Sequence, residues 1–306
     1  AVVALLAVVA AKHFFVRRYA LAGKVVILDE VHSYDLYTGT LIDKLILTLE
    51  QLQCTVIVLS ATLTGKRRHQ VVGHATGTVP EADLSYPLIT GRRAGEAFAP
   101  VSVAPPPERD VEVVFQASDE AARHATALAE AGGCVLWICN TVASAQNRYQ
   151  QFLATAGRSF PLGLMHSRFP FWRREELENE WMERFGKTGS GRRGSILVST
   201  QIVEQSVDLD ADLLVTELAP TDMLLQRIGR LWRHDRGHRP SSAARVIILE
   251  EAASFAELRH MGKAAILNTL GSKAYVYDPY VLLRSLETWK DQRHIVLPTQ
   301  IRSLID

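Results

Sequence analysis

Cysteine is scarce in this chain of 306 residues: Cys54, Cys134 and Cys139 are all it has. An odd number, set in apolar runs, excludes a disulfide framework and predicts buried thiols in a reducing compartment, not metal ligands. Cys134 and Cys139 bound the run CVLWIC, so on a strand they face opposite ways. An excess of either charge is also missing. Lys and Arg total 34 against 33 Asp and Glu, for a net +1, so any anion-binding surface must be local. A long apolar run is absent too. AVVALLAVVAA, at the start, is eleven residues long before Lys12 interrupts it. That is short of the ~18 a membrane span needs, and no basic segment precedes it. It reads as a buried helix, which makes a cytoplasmic protein with no membrane partner the expectation.

What is present is a regular alternation. Apolar residues make up 47% and charged residues 22%, an ordinary globular balance. KVVIL (24–28) and TVIVLS (55–60) read as buried strands, with an amphipathic helix over 38–51 between them. Such Val- and Ile-rich runs separated by helices predict a parallel sheet covered on both faces. Residues 76–110 then collect Pro80, Pro87, Pro100 and APPPERD, which predicts a junction. Beyond it come strand candidates at 111–115, 134–139, 161–166, 195–200, 212–217 and 245–250. Helices are expected at 118–131, 141–156, 172–185 and 221–229, and KTGSGRRG (187–194) reads as a flexible basic loop. The expected organisation is therefore a first lobe over 1–78, a linker over 79–110, a second lobe over 111–251 and an accessory region from 252 to 306, helical at first.

Ligands of open parallel sheets sit beyond the carboxyl ends of the strands. VVILDEVHSYD places Asp29 and Glu30 there. A carboxylate at a strand end can hold magnesium, often through water, and its neighbour can deprotonate a water for attack on a phosphate. Helix capping explains the same acids equally well. Ser60-Ala61-Thr62 ends the next strand with small hydroxyls. In LLQRIGRLWRH, Gln226, Arg230 and Arg233 fall at i, i+4 and i+7, one face of a helix, with Arg227 pointing elsewhere. One amide and two guanidinium groups suit a phosphate whose charge grows in a transition state.

The set DEVH, SAT, STQIVEQSVDLD and QRIGRLWRH, in that order, resembles superfamily-two helicases. KVVILDEVHSYD, STQIVEQSVDLDADLLVTELAP and LLQRIGRLWRH are most similar to the CRISPR-associated helicase–nuclease of type I CRISPR systems, over roughly residues 10 to 250. The resemblance implies tandem RecA-like lobes, ATP and magnesium as cofactors, and single-stranded DNA and a guide-RNA surveillance complex as partners. It makes Asp29 the magnesium-linked acid, Glu30 the base and His32 the residue that relays ATP state. Ser60 and Thr62 match the coupling motif. Asp208 matches the acid that contacts nucleotide and bridges to the arginine motif. Gln226 matches the ATP sensor, and Arg230 and Arg233 the arginine fingers. Asn140, Thr141, His166, Ser167, Arg168, Thr200 and Gln201 match contacts to the nucleic-acid backbone, each of them equally explicable as a turn or cap residue.

The departures are as informative. No G-x-x-x-x-G-K-[ST] phosphate loop occurs anywhere in the chain, and 28 residues precede the DEVH stretch. With Ala1 in place of Met, this predicts an incomplete first lobe cut from a longer protein, inactive alone as an ATPase. His234-Asp235, directly after the arginine motif, reads as no metal site despite His238 nearby. The expected function is ATP-dependent translocation on DNA displaced by a guide-RNA complex. The alternatives are another superfamily-two DNA or RNA helicase, or a non-catalytic nucleic-acid-binding module.

Overall fold

The computed structural model describes residues 5, 7–9, 12–31, 36–72, 86–91, 99–156, 159–189, 191–204, 207–250, 255–258 and 260–305. Most of the apolar start, and His32, lie outside them. The chain forms two compact units, residues 1–107 with 298–306, and residues 108–297.

In the first unit, α1 (Phe14–Leu21) leads to β1 (Val25–Leu28), α2 (Leu36–Gln51), β2 (Thr55–Val58) and α3 (Gly65–Val72). β1 and β2 pair in parallel, Val25 opposite Thr55 and Leu28 opposite Val58. Leu45 and Leu49 of α2, both fully buried, pack with Leu28, Val31, Ile42 and Ile46, and Val26, Val56 and Val58 face this core. The expectation of strands buried on both faces fails here. Val25 is 62% and Ile27 60% exposed, because strand alternation sends them to the other face, which no described residue covers. The Pro-rich stretch also holds an unexpected antiparallel pair, β3 (Leu88–Gly91) and β4 (Ala99–Ser102). Pro100 is tolerated there because a two-stranded ladder leaves every strand an edge.

The second unit is a seven-stranded sheet. Its strands are β5 (Arg109–Gln116), β6 (Cys134–Ile138), β7 (Leu162–Met165), β8 (Ser195–Ser199), β9 (Leu213–Thr216), β10 (Ala244–Leu249) and β11 (His294–Leu297). The spatial order is β11-β5-β10-β9-β6-β8-β7. All neighbours pair in parallel except β11, which runs antiparallel to β5. β6 and β8 are buried at every position, as near-continuous apolar strands at a sheet centre must be. α4 (Ser118–Glu130) turns Ala121, Ala125 and Ala129 inward, small residues that let the helix lie close to the sheet. α5 (Val142–Ala156) sets Phe152 edge-on to Trp137, ring centroids 5.4 Å apart. α6 (Phe171–Phe185) sends Trp181 against β7, where a Cβ at Gly163 would lie 1.9 Å from its ring, so only glycine fits. After α7 (Thr221–Ile228) and β10 come α8 (Phe255–Leu258), α9 (Lys263–Leu270) and α10 (Pro279–Trp289). Among the described residues from 255 on, these helices come first and the edge strand β11 follows. The last helix, α11 (Ile301–Ile305), belongs to the first unit.

Candidate functional site

In the first unit, parallel pairing brings the ends of β1 and β2 to the same edge. The Leu59 amide donates to Leu28 O (2.8 Å) and the Val31 amide to Leu59 O (3.4 Å), tying the acid-bearing turn to the hydroxyl-bearing one. Asp29 and Glu30 are both exposed, and Asp29 Oδ1 accepts the Glu30 amide at 2.9 Å. Glu30 has φ 58°, left-handed for a non-glycine residue, the kind of outlier that clusters at functional sites. Ser60 is half-buried. Thr62 is 6% exposed, and its Oγ1 is buried with no hydrogen-bond partner among the described residues. Thr64 Oγ1 accepts the Arg67 amide (3.1 Å) and so caps α3, while Arg67 pairs with Asp43 of α2 at 2.7 Å.

In the second unit, the carboxyl ends of β6, β7, β8 and β9 bring Asn140, His166, Thr200 and Glu217 to one edge. The resemblance made Asn140 a candidate phosphate contact, with a turn or cap role equally open. Its side chain is instead consumed within the unit: Nδ2 donates to Leu218 O (2.7 Å) and Oδ1 accepts from Arg227 (3.1 Å). Thr141 is a cap, its hydroxyl accepting the Ser144 amide at 3.0 Å as α5 begins. Gln201 Nε2 donates to Asn140 O (2.9 Å) and to the Tyr277 hydroxyl (3.3 Å). Thr200 is 4% exposed, with its amide given to Met165 O. His166, also 4% exposed, stacks on Phe169 with centroids 4.3 Å apart. Burial, with the Arg168 charge adding to it, holds its imidazole below the usual range. Ser167 and Arg168 are the two of this set left exposed, on the turn after β7.

The centre of this edge is Arg227, fully buried. Nε donates to Glu204 Oε1 (2.6 Å), Nη1 to Thr216 Oγ1 (2.7 Å) and Glu217 O (3.1 Å), and Nη2 to Asn140 and to the Tyr277 hydroxyl (both 3.1 Å). Burial works against this charge, but Glu204, Tyr277 and Glu217 together raise its pKa. Burial likewise pushes the Glu204 carboxyl up, opposed by Arg227. The two groups meet at 2.6 Å, the short geometry of a charge-assisted hydrogen bond. Arg227 therefore joins the short 3₁₀ turn Gln201–Glu204, two strand ends, α7 and Tyr277.

The helical face proposed for Gln226, Arg230 and Arg233 is not continuous. α7 stops at Ile228, Leu231 bridges to Ala211, and Trp232 is left-handed at φ 47°. Tight turns close the helix end, the Arg230 amide on Arg227 O and the Leu231 amide on Ile228 O, and Arg109 holds the turn beyond by donating to Ile228 O (3.4 Å), Leu231 O and Trp232 O (2.9 Å). The two arginines thus sit on a turn. Arg230 donates to Glu204 O (2.6 Å) and Val207 O. Arg233 Nε meets Asp208 Oδ1 at 2.7 Å, and His234 Nε2 meets the same carboxylate at 3.0 Å. Gln226 Nε2 is buried without a partner among the described residues.

A second charged layer supports that turn. Asp210 and Asp212, both fully buried as side chains, bind Arg192, Arg236 and Arg239, and Asp210 also accepts the Arg233 amide at 2.8 Å. Arg239 also lies 4.9 Å over the Trp232 ring. Arg192, expected in a flexible basic loop, is held here by Asp212 at 2.7 Å because a buried carboxylate needs a cation. A signal for this layer exists in the sequence. Asp208, Asp210 and Asp212 recur at period two, while Arg230, Arg233, Arg236 and Arg239 recur at period three. Glu204, Tyr277 and Arg109 carry no such signal, because their partners are 23 to 123 positions away.

The comparisons with known proteins concern the family and the fold. Residues 131–236 match the family model described as CRISPR-associated nuclease/helicase Cas3, C-terminal. The chain is 34% identical over 272 residues to the CRISPR-associated endonuclease/helicase Cas3 of Escherichia coli K12, covering 84% of this chain and 31% of that protein. It matches the crystal structure of T. fusca Cas3 with a TM-score of 0.85 and 32% identity, over 99% of this chain and 37% of the other. The T. fusca protein has also been solved with AMPPNP, ADP and ATP. A chain in a structure described as a CRISPR RNA-guided surveillance complex, pre-nicking, matches with a TM-score of 0.81 and 31% identity, over 99% of this chain and 39% of that one. The chain spans about a third of the length of these relatives. It belongs to the Cas3 family and corresponds to a helicase-type portion of it.

Proposed function

We propose that this chain is the part of a CRISPR interference enzyme that couples ATP hydrolysis to movement along single-stranded DNA displaced by a guide-RNA complex in the cytoplasm. The observation that carries the reading is the turn at 230–233. It holds two arginines beside Asp208 on a base of buried ion pairs, a preorganised cationic group suited to a phosphate in transfer. Asp29 fits magnesium: it is exposed, and its bond to the Glu30 amide occupies one oxygen and leaves the other to a hydrated ion. Magnesium there would neutralise charge on the phosphates. Glu30 would orient and deprotonate the attacking water. The nucleotide-bound T. fusca structures and the match to a surveillance-complex chain support ATP and a guide-RNA complex as ligand and partner. Ser167 and Arg168, exposed donors on one turn, suit the sugar–phosphate backbone without regard to base.

The test uses the whole protein that carries this chain. Arg230→Ala and Arg233→Ala each lower DNA-stimulated ATP turnover by roughly 10³-fold, with nucleotide affinity reduced far less, and Glu30→Gln abolishes turnover. Equal losses of affinity and turnover for both arginines would remove them from the transition state and sink the reading.

A further inference from the structure

The chain passes from one unit to the other twice, at Pro107–Glu108 and at Leu297–Pro298. The two passages leave the second unit side by side. β11 and β5 pair so that Leu297 lies opposite Arg109 and Val296 opposite Asp110. Each passage carries a proline on its outer side, which fixes φ and removes a donor. The result is a double crossing beside the β5–β11 pair.

An arginine stands next to each passage. Arg109 begins β5 and donates to Ile228 O, Leu231 O and Trp232 O. Those carbonyls bracket Arg230 and immediately precede Arg233. On the other side, Arg302 of α11 donates from Nη1 to Leu63 O at 2.6 Å. Leu63 follows Ser60-Ala61-Thr62 directly, and Thr62 Oγ1 is buried without a hydrogen-bond partner among the described residues. A buried hydroxyl in that condition is destabilising, so this turn gains from any rearrangement that supplies a partner. Arg109 thus grips the turn that bears the arginine pair, and Arg302 grips the turn that bears the coupling hydroxyls, each within its own unit.

We propose that Arg109 and Arg302 are positioning residues that anchor the double crossing to these two turns, so that bending at the crossing and rearrangement of the turns occur together. The inference rests on the motor reading above and goes beyond it. Neither arginine lies in DEVH, SAT, STQIVEQSVDLD or QRIGRLWRH. Three carbonyls on one guanidinium demand its fork geometry, which lysine cannot reproduce. The single carbonyl at Arg302 can be served by an ammonium group.

The experiment measures ATP turnover and base pairs opened per ATP on the whole protein. Arg302→Ala keeps turnover within about twofold of wild type but lowers base pairs opened per ATP about fivefold or more, and Arg302→Lys recovers at least about half of that ratio. Arg109→Ala lowers kcat for ATP about tenfold with KM within about threefold, and Arg109→Lys recovers little. If an alanine variant fails to fold, the lysine variants decide, because they keep charge and most of the volume. Variants that fold and keep the wild-type ratio and kcat overturn the inference alone. A wild-type protein with no DNA-stimulated turnover overturns the motor reading and the inference with it.

Discussion

Replacing Arg227 by methionine removes a buried cation and keeps a side chain of similar length. Glu204 is then left as a buried carboxylate, 7% exposed, without the guanidinium that now lies 2.6 Å away. Asn140 Oδ1, Thr216 Oγ1 and the Tyr277 hydroxyl each lose a donor as well. Breaking a buried pair from one side costs about 3–5 kcal/mol, because the remaining charge is uncompensated. For a unit of this size each kcal/mol lowers the melting midpoint by about 2–4 °C, so a fall of about 10 °C is expected. Tryptophan fluorescence isolates the effect, since all five tryptophans lie within residues 108–297. Glu204→Gln in the same chain removes the stranded charge. The double variant should recover, so that the two single losses exceed the double loss by at least about 1.5 kcal/mol. A midpoint lowered by less than about 2 °C in Arg227→Met, or single losses that simply add, would show that the network contributes nothing as a unit.

Further outcomes follow from the same geometry. Ser60→Ala with Thr62→Ala, in the whole protein, should keep most DNA-stimulated ATPase and lose most strand separation per ATP; a proportional fall in both, or unfolding, would make these hydroxyls structural. Binding to single strands of unrelated sequence should be similar and should weaken steeply with salt, and Arg168→Ala should lower the salt slope by about one ion. A marked preference for one sequence would contradict backbone recognition. Burial holds the His166 imidazole below its ordinary value of 6.5, so the folded state resists protonating it. The stability this neutral ring contributes is complete above pH 6.5 and is lost as pH falls below it, so the second-unit midpoint should drop on that side, and His166→Gln should flatten the drop. The chain of 306 residues should hydrolyse ATP at no appreciable rate by itself, because it contains no glycine-rich phosphate loop, and ordinary turnover sensitive to Glu30→Gln would refute this.

Periodicity alone determined the alternation of strands and helices, because fully buried parallel strands are near-continuous apolar runs and their crossover helices are amphipathic. It also put Asp29-Glu30, Ser60–Thr62, Asn140, His166 and Thr200 beyond strand ends, since the runs that precede them stop there. Local spacing could not say which of those side chains face outward. Asn140 and Gln201 turned into the Arg227 network, and His166 turned onto Phe169, because buried donors and acceptors must find partners wherever the fold puts them. The arginine pair was legible as residues but not as geometry: a helical face was expected, but the helix stops at Ile228, and Arg109, distant in sequence, holds the turn that follows by binding its carbonyls. The edge strand β11, the buried Asp210–Asp212 layer and the paired crossing of the two units depend on residues far apart in the chain. The acids and arginines of that layer are regularly spaced in the sequence, but which of them pair, and which strands pair, is decided by tertiary packing.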